Sequence, residues 1–219
     1  DISLEVKPNT IFGIVGLNGV GKTTLLKIIL NLIFADSGDI KLFNHDHRNP
    51  LSRQHLSFLP EKFVPPTALT GHEFLAFSCA QYQVHYKPEE AEALCDKLGF
   101  DTKYLMTYIR TYSKGMGQKL GLVTQLLRKP KLLILDEPMS GLDPKARIEV
   151  KEILNGFKKT GSVLFSSHIL ADIEEISDEM SLLDKGRLVF TGTPAQFKTC
   201  YNAPNLEGAF LNATKVKAC

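Results

Sequence analysis

The sequence predicts an α/β domain: a mainly parallel sheet wound with helices, an antiparallel β portion in the N-terminal half, and an inserted helical subdomain. Three observations carry this. Short apolar runs bounded by turn residues alternate with amphipathic segments at both ends of the chain, which is the rhythm of βα units. Between about Thr70 and Lys129 no strand pattern is present and helical spacings take over. Finally, the glycine-rich stretch Gly16 to Thr23 joins the apolar run Ile11 to Val15 to a row of strong helix formers, so a strand passes into a helix through a sharply bending loop.

The elements follow in order. Ile2, Leu4 and Val6 alternate with polar residues and Pro8-Asn9 supplies turn chemistry, which predicts a first strand forming a hairpin with Ile11 to Val15. Lys22 to about Leu32 is helical, Asp36-Ser37-Gly38 ends it, and Asp39 to Phe43 and His55 to Leu59 read as strands. In the insert, Ala91, Leu94, Cys95 and Leu98 stand at i, i+3, i+4 and i+7 after Pro88, an apolar helix face. Lys131 to Leu135 is again a strand, Asp143 and Pro144 suit the N-cap and N1 positions of a helix, and Ser162 to Ser166 is a strand. A helix after His168, strands Met180 to Asp184 and Arg187 to Thr191 joined at Lys185-Gly186, and a helix after Pro194 complete the series. The expected division is a single domain over 1–219: a catalytic core of 1–69 and 130–200, a helical subdomain of 70–129, and a C-terminal tail of 201–219. The tail frays from Asn212.

A chain of 219 residues holds one sizeable domain. Its 43% apolar and 23% charged residues are ordinary for a globular protein, which excludes disordered, collagenous and coiled-coil classes. The formal charge is +2 without a dense Lys/Arg run, so no nucleic-acid partner is expected. The longest apolar stretch, Leu25 to Ala35, is broken by Lys27 and Asn31 and falls short of the roughly 20 residues a membrane span needs. The opening Asp1-Ile2-Ser3-Leu4-Glu5 does not resemble a signal peptide. Cys79, Cys95, Cys200 and Cys219 form no CxxC pair, so a reducing cytosol is expected rather than a disulfide or zinc framework.

Gly16-Leu17-Asn18-Gly19-Val20-Gly21-Lys22-Thr23 fits GxxxxGK[ST]. The glycines let consecutive backbone N–H groups converge on anionic oxygens, and the helix behind adds positive potential. This assigns polyphosphate binding to Asn18, Gly19, Val20, Gly21, Lys22, Thr23 and Thr24. Lys22 would reach the β and γ phosphates of ATP, and Thr23 would offer its hydroxyl to Mg2+. Leu132-Leu133-Ile134-Leu135-Asp136-Glu137 places two acids where a parallel strand would end at the ligand face. Asp136 would hold Mg2+ directly or through water, and Glu137 would polarise the attacking water. His168 follows the next strand on the same rim. It would bond the γ phosphate or position the water, or else it caps and packs.

This set resembles the nucleotide-binding subunit of an ATP-binding cassette (ABC) transporter, with a P-loop NTPase core, over essentially the whole chain. The P-loop is Gly16 to Thr23, Leu132 to Glu137 resembles the Walker B run, Ser140-Gly141-Leu142-Asp143 the D-loop, and His168 the switch histidine. Tyr112-Ser113-Lys114-Gly115-Met116-Gly117-Gln118 resembles a divergent signature motif of the export-associated bacterial kind. The resemblance implies a Mg-dependent ATPase in which two nucleotide-binding domains, as homodimer or heterodimer, close head to tail around ATP. Each site would borrow Ser113 and Gly115 in trans. It also implies a membrane-spanning permease as partner, and a cytoplasmic, peripheral place on the inner face of the cell membrane. The competing readings are a soluble ABC ATPase and a nucleotide or small-molecule kinase.

The resemblance has departures. Lys114 and Met116 stand where the commonest signature has Gly and Gln. The Q-loop glutamine falls at Glu61, which is expected to keep a metal-sensing role. The family's adenine-stacking aromatic precedes the first strand, so it is expected to lie outside this sequence. Phe63-Val64-Pro65-Pro66 reads equally as a docking patch or a packing loop, and Asn44-His45-Asp46-His47-Arg48 as a solvated polar loop.

Overall fold

Residues 2–215 are described in the computed structural model. The N-terminal part carries β1 (Ile11–Val15), α1 (Lys22–Ile29), β2 (Lys41–Leu42), β3 (His45–Asp46) and β4 (Leu56–Leu59). Three helices follow, α2 (Gly71–Gln81), α3 (Pro88–Lys97) and α4 (Lys114–Leu127). Then come β5 (Leu132–Asp136), α5 (Pro144–Phe157), β6 (Ser162–Ser167), α6 (Leu170–Ile176), β7 (Glu179–Asp184), β8 (Arg187–Gly192), α7 (Pro194–Cys200) and α8 (Leu206–Lys215).

The main sheet has the strand order β4-β5-β6-β1-β7-β8. All neighbours are parallel except β7 and β8, which form an antiparallel pair at one edge. Every residue of β1, β5 and β6 is buried, as expected of parallel strands covered on both faces. Their side chains alternate between two cores. Phe12, Ile14, Leu132, Ile134 and Leu164 pack with Leu25, Leu26 and Ile29 of α1. Ile11, Val15, Leu133, Leu135, Val163 and Phe165 join the larger core beneath the other helices. A fully buried Leu or Phe contributes about 1.5–3 kcal/mol relative to exposure, so this double burial holds the central strands in register.

That register positions the site. Ile14 lies opposite Ser166, Asp136 opposite Ser166, and Leu59 opposite Leu135. The carboxyl ends of β1, β4, β5 and β6 therefore reach one rim, and the residues that follow them meet there.

The N-terminal hairpin is corrected. Ile2 to Val6 carry no strand, because both edges of β1 are already filled by β6 and β7 in parallel. The segment runs over the sheet instead: Leu4 and Val6 pack on the α1-side core, and the Lys7 carbonyl accepts from Ser162 Oγ at 3.0 Å. The antiparallel portion expected in the N-terminal half is present as a small separate β2–β3 hairpin, and β7–β8 adds an antiparallel pair at the edge of the main sheet. Phe43 and Asn44 turn that hairpin with φ of 52° and 65°, the twist a two-residue loop requires. Its Asp46 is taken by Arg48 at 2.7 Å, which holds the carboxyl well below its usual range, while His47 is buried against the Ile40 carbonyl.

From Gly71 to Leu127 the described elements are helical. Thr70 and Glu73 form a capping box at the start of α2, and Pro88 opens α3 at N1. Phe63 packs against Gly121 of α4 and lies 6.0 Å from Phe74, whereas Val64 is 81% exposed. The loop thus packs with one residue and exposes the next. Burial pushes the Cys95 thiol up to about 12, which keeps it an unreactive core residue; Cys219 lies outside the described residues.

The segment after Tyr201 is also more ordered than its sequence suggests. It forms α8, which buries Leu206, Ala209 and Ala213 against α6 and α7. Two of those three residues are alanines, whose apolar signal is weak until a partner surface is present. The fraying expected from Asn212 does not begin before Lys215, and 216–219 lie outside the described residues. Among the described residues no helix is long and apolar enough to cross a membrane.

Candidate nucleotide site

The loop after β1 bends because Gly19 and Gly21 adopt φ of 83° and 109°, values that side-chain-bearing residues rarely take. Gly21 then stands as N-cap of α1 without a side-chain cap, so the first N–H groups of that helix have no intrahelical partner. A Cβ on Gly19 would meet nothing within 4 Å, so space is open above the loop. At Gly16 the requirement differs: a Cβ would lie 2.4 Å from the Leu183 carbonyl oxygen and 2.8 Å from Val20. Gly16→Ala is therefore expected to destabilise the fold by about 1–3 kcal/mol, the cost of overpacking, as measured by urea denaturation. An unchanged midpoint would contradict the close approach.

Lys22, at 6% exposure, turns its ammonium back into the loop. It donates to the carbonyls of Gly16 at 2.8 Å and Leu17 at 3.2 Å, and stands 3.2 Å from Glu137 Oε1. That carboxylate oxygen is buried and accepts no hydrogen bond, so its contact with Lys22 is ionic and poorly aligned. The other oxygen, Oε2, meets His168 Nδ1 at 2.7 Å and the His168 backbone N–H at 3.3 Å. Lys22 at the start of α1, Glu137 just after β5 and His168 just after β6 thus form a row.

Asp136 lies beside this row. Its Oδ2 accepts from Thr23 Oγ1 at 2.8 Å and its Oδ1 from Ser166 Oγ at 2.6 Å. Thr23 and Asp136 present two hard oxygens in contact, a donor set that fits Mg2+, which takes one or two protein oxygens and completes its octahedron with water and phosphate. The oxygens fit the ion, and the open loop with its uncapped helix fits a polyphosphate.

The structure brings together Lys22, Thr23, Asp136, Glu137 and His168, and places Asn18, Gly19, Val20, Gly21 and Thr24 on the loop and the first turn of α1. Three other residues stand apart. Glu61 is exposed and makes no side-chain hydrogen bond or ion pair among the described residues. Ser113 caps α4 by accepting from Met116 N–H at 3.2 Å, and Gly115 faces Leu142. From the same segment, Gln118 Nε2 donates to the Pro138 carbonyl at 3.4 Å and Lys114 lies over Gly141. Asp143 caps α5, and the Ala146 N–H holds its carboxyl below the usual range.

Sequence reasoning missed Ser166. Its signal was available: a serine directly after the apolar run Val163 to Phe165, near the buried end of a parallel strand, has to find a partner.

Comparison with known proteins agrees with this geometry. The ABC transporter family pattern matches residues 1–140. An uncharacterized ABC transporter ATP-binding protein of Synechocystis is 38% identical over 89% of this chain and 56% of its own length. A bacitracin transport ATP-binding protein of Enterococcus faecalis is 32% identical over 86% of this chain and 62% of its own. The chain thus spans under two-thirds of the length of these relatives. A solved structure of the ATP binding subunit of an ABC transporter superposes with a TM-score of 0.88 at 29% identity, covering 98% of this chain and 92% of that one. The chain belongs to the ABC transporter family.

Proposed function

We propose that this domain hydrolyses MgATP while paired with a second nucleotide-binding domain, and that the closing and opening of the pair drives export through a membrane-spanning permease. The observation that carries the reading is the Lys22–Glu137–His168 row beside Thr23 and Asp136. In it a cation, a carboxylate and an imidazole face one open phosphate loop.

ATP entering that loop competes for Lys22, whose ammonium exchanges two carbonyls and Glu137 for phosphate oxygens. Release of Lys22 frees Glu137 Oε1, which then accepts the proton of a water attacking the γ phosphorus as the bond to the ADP oxygen breaks. His168, on Oε2, holds the carboxylate in place. Thr23 and Asp136 would hold Mg2+, which would supply charge neutralisation on the phosphates. Ser113 and Gly115, free of their own loop, are available to a second domain, which supports completion of each site in trans. In this reading the domain sits peripherally on the inner face of the membrane through the permease. The relative named for bacitracin transport supports a transport role.

Glu61 is exposed and free of side-chain partners, so Glu61→Gln is expected to leave folding stability unchanged while shifting the Mg2+ concentration needed for half-maximal turnover by about 3-fold or more. An unchanged Mg2+ titration excludes Glu61 from metal sensing. The function itself is tested by phosphate release from MgATP and by purification from detergent-solubilised membranes. Phosphate release with a co-purifying polytopic protein supports the reading. Phosphate release without one favours a soluble ATPase.

A further inference from the structure

Among the described residues, one hydroxyl touches both acids of the site. Ser166 Oγ donates to Asp136 Oδ1 at 2.6 Å and accepts from the Glu137 backbone N–H at 2.9 Å. Ser166 is fully buried, on β6 between β5 and β1, directly across from Asp136 and Ile14. A serine there would cost stability if unpaired, yet its donor and its acceptor are both used.

We infer that Ser166 is a positioning residue for the ATPase site, acting on Asp136 and Glu137 at once; this rests on the hydrolytic reading above. Its bond to Oδ1 fixes the Asp136 carboxylate so that Oδ2 stays on Thr23 at 2.8 Å. Its second bond addresses backbone strain. Glu137 has φ of 49°, the left-handed region that costs a non-glycine residue stability. The residue is 7% exposed, so its N–H, turned out of the strand ladder, would otherwise lack a partner. Ser166 supplies that partner, and the Glu137 side chain so presented reaches Lys22 with one oxygen and His168 with the other. The hydroxyl thereby couples the metal-side acid to the water-side acid, and loss of it disturbs both.

The test compares Ser166→Ala and Ser166→Thr with the parent 219-residue chain, reading ATP turnover, nucleotide affinity and amide hydrogen exchange at Glu137. For Ser166→Ala, kcat is expected to fall about 10-fold or more with KM for ATP changed less than about 3-fold, and the Glu137 amide to lose protection. Ser166→Thr keeps the hydroxyl and is expected to recover both. Positioning is overturned if Ser166→Ala turns over within about 2-fold of the parent, or if kcat and KM worsen together without recovery in Ser166→Thr. The exchange measurement requires no catalysis. If the parent releases no phosphate, the ATPase reading fails, and retained Glu137 protection in Ser166→Ala separately overturns the contact.

Discussion

Glu137→Gln is expected to reduce ATP turnover by about 100-fold or more while ATP binding stays within a few fold of the parent. The substitution keeps the shape of a side chain that is 7% exposed and wedged between Lys22 and His168. What it removes is the ability of Oε1 to take a proton. It also removes the anion that competes with phosphate for the Lys22 ammonium, so affinity for ATP is not expected to fall. If hydrolysis is what reopens a paired state, the variant with MgATP will also sediment as a dimer under conditions where the parent does not. Phosphate release at saturating ATP, equilibrium nucleotide binding and sedimentation velocity together read the prediction. Turnover within about 10-fold of the parent would remove Glu137 from the role of base.

Lys22→Met should act in two ways, and the two can be separated. Under the proposed mechanism the loss of the ammonium weakens ATP binding by about 100-fold, since a charge-assisted contact in a water-poor loop contributes about 1.5–3 kcal/mol and Lys22 meets more than one phosphate. The second effect needs no nucleotide. Glu137 Oε1 is buried without a hydrogen bond and has Lys22 as its neighbouring cation. Removing one partner of a buried pair typically costs about 3–5 kcal/mol; here His168 on Oε2 offsets part of that, and about 2–3 kcal/mol of lost stability is expected. Adding Glu137→Gln to Lys22→Met removes the stranded charge. The double variant should regain most of the denaturation midpoint and none of the nucleotide affinity. Additive destabilisation in the urea cycle would show that the two side chains do not sense one another.

Glu137 and Ser166 show how far the sequence could be read. Glu137 was assigned from two acids ending an apolar run, because a parallel strand buried on both faces leaves polar residues only at its ends. Its left-handed backbone was not visible, since there the Glu137 N–H donates to a serine 29 residues away on another strand. The helix caps at Thr70, Ser113, Asp143 and Thr193 depend on neighbours three residues apart and are written into local sequence. The N-terminal hairpin failed for a non-local reason: alternation at Ile2, Leu4 and Val6 indicates a strand, but the edges of β1 were already taken by β6 and β7.

The sequence by itself determined the glycine loop, the order of most strands and helices, the helical stretch between β4 and β5 and the family, because these rest on spacings within a few residues and on apolar period. Only the tertiary structure decided which strands became neighbours. That adjacency brought Lys22, Asp136, Ser166 and His168 into one network and left Glu61 outside its hydrogen bonds. The physical reason is the sheet order: β6 lies between β5 and β1, so residues more than 100 positions apart meet across the width of two strands.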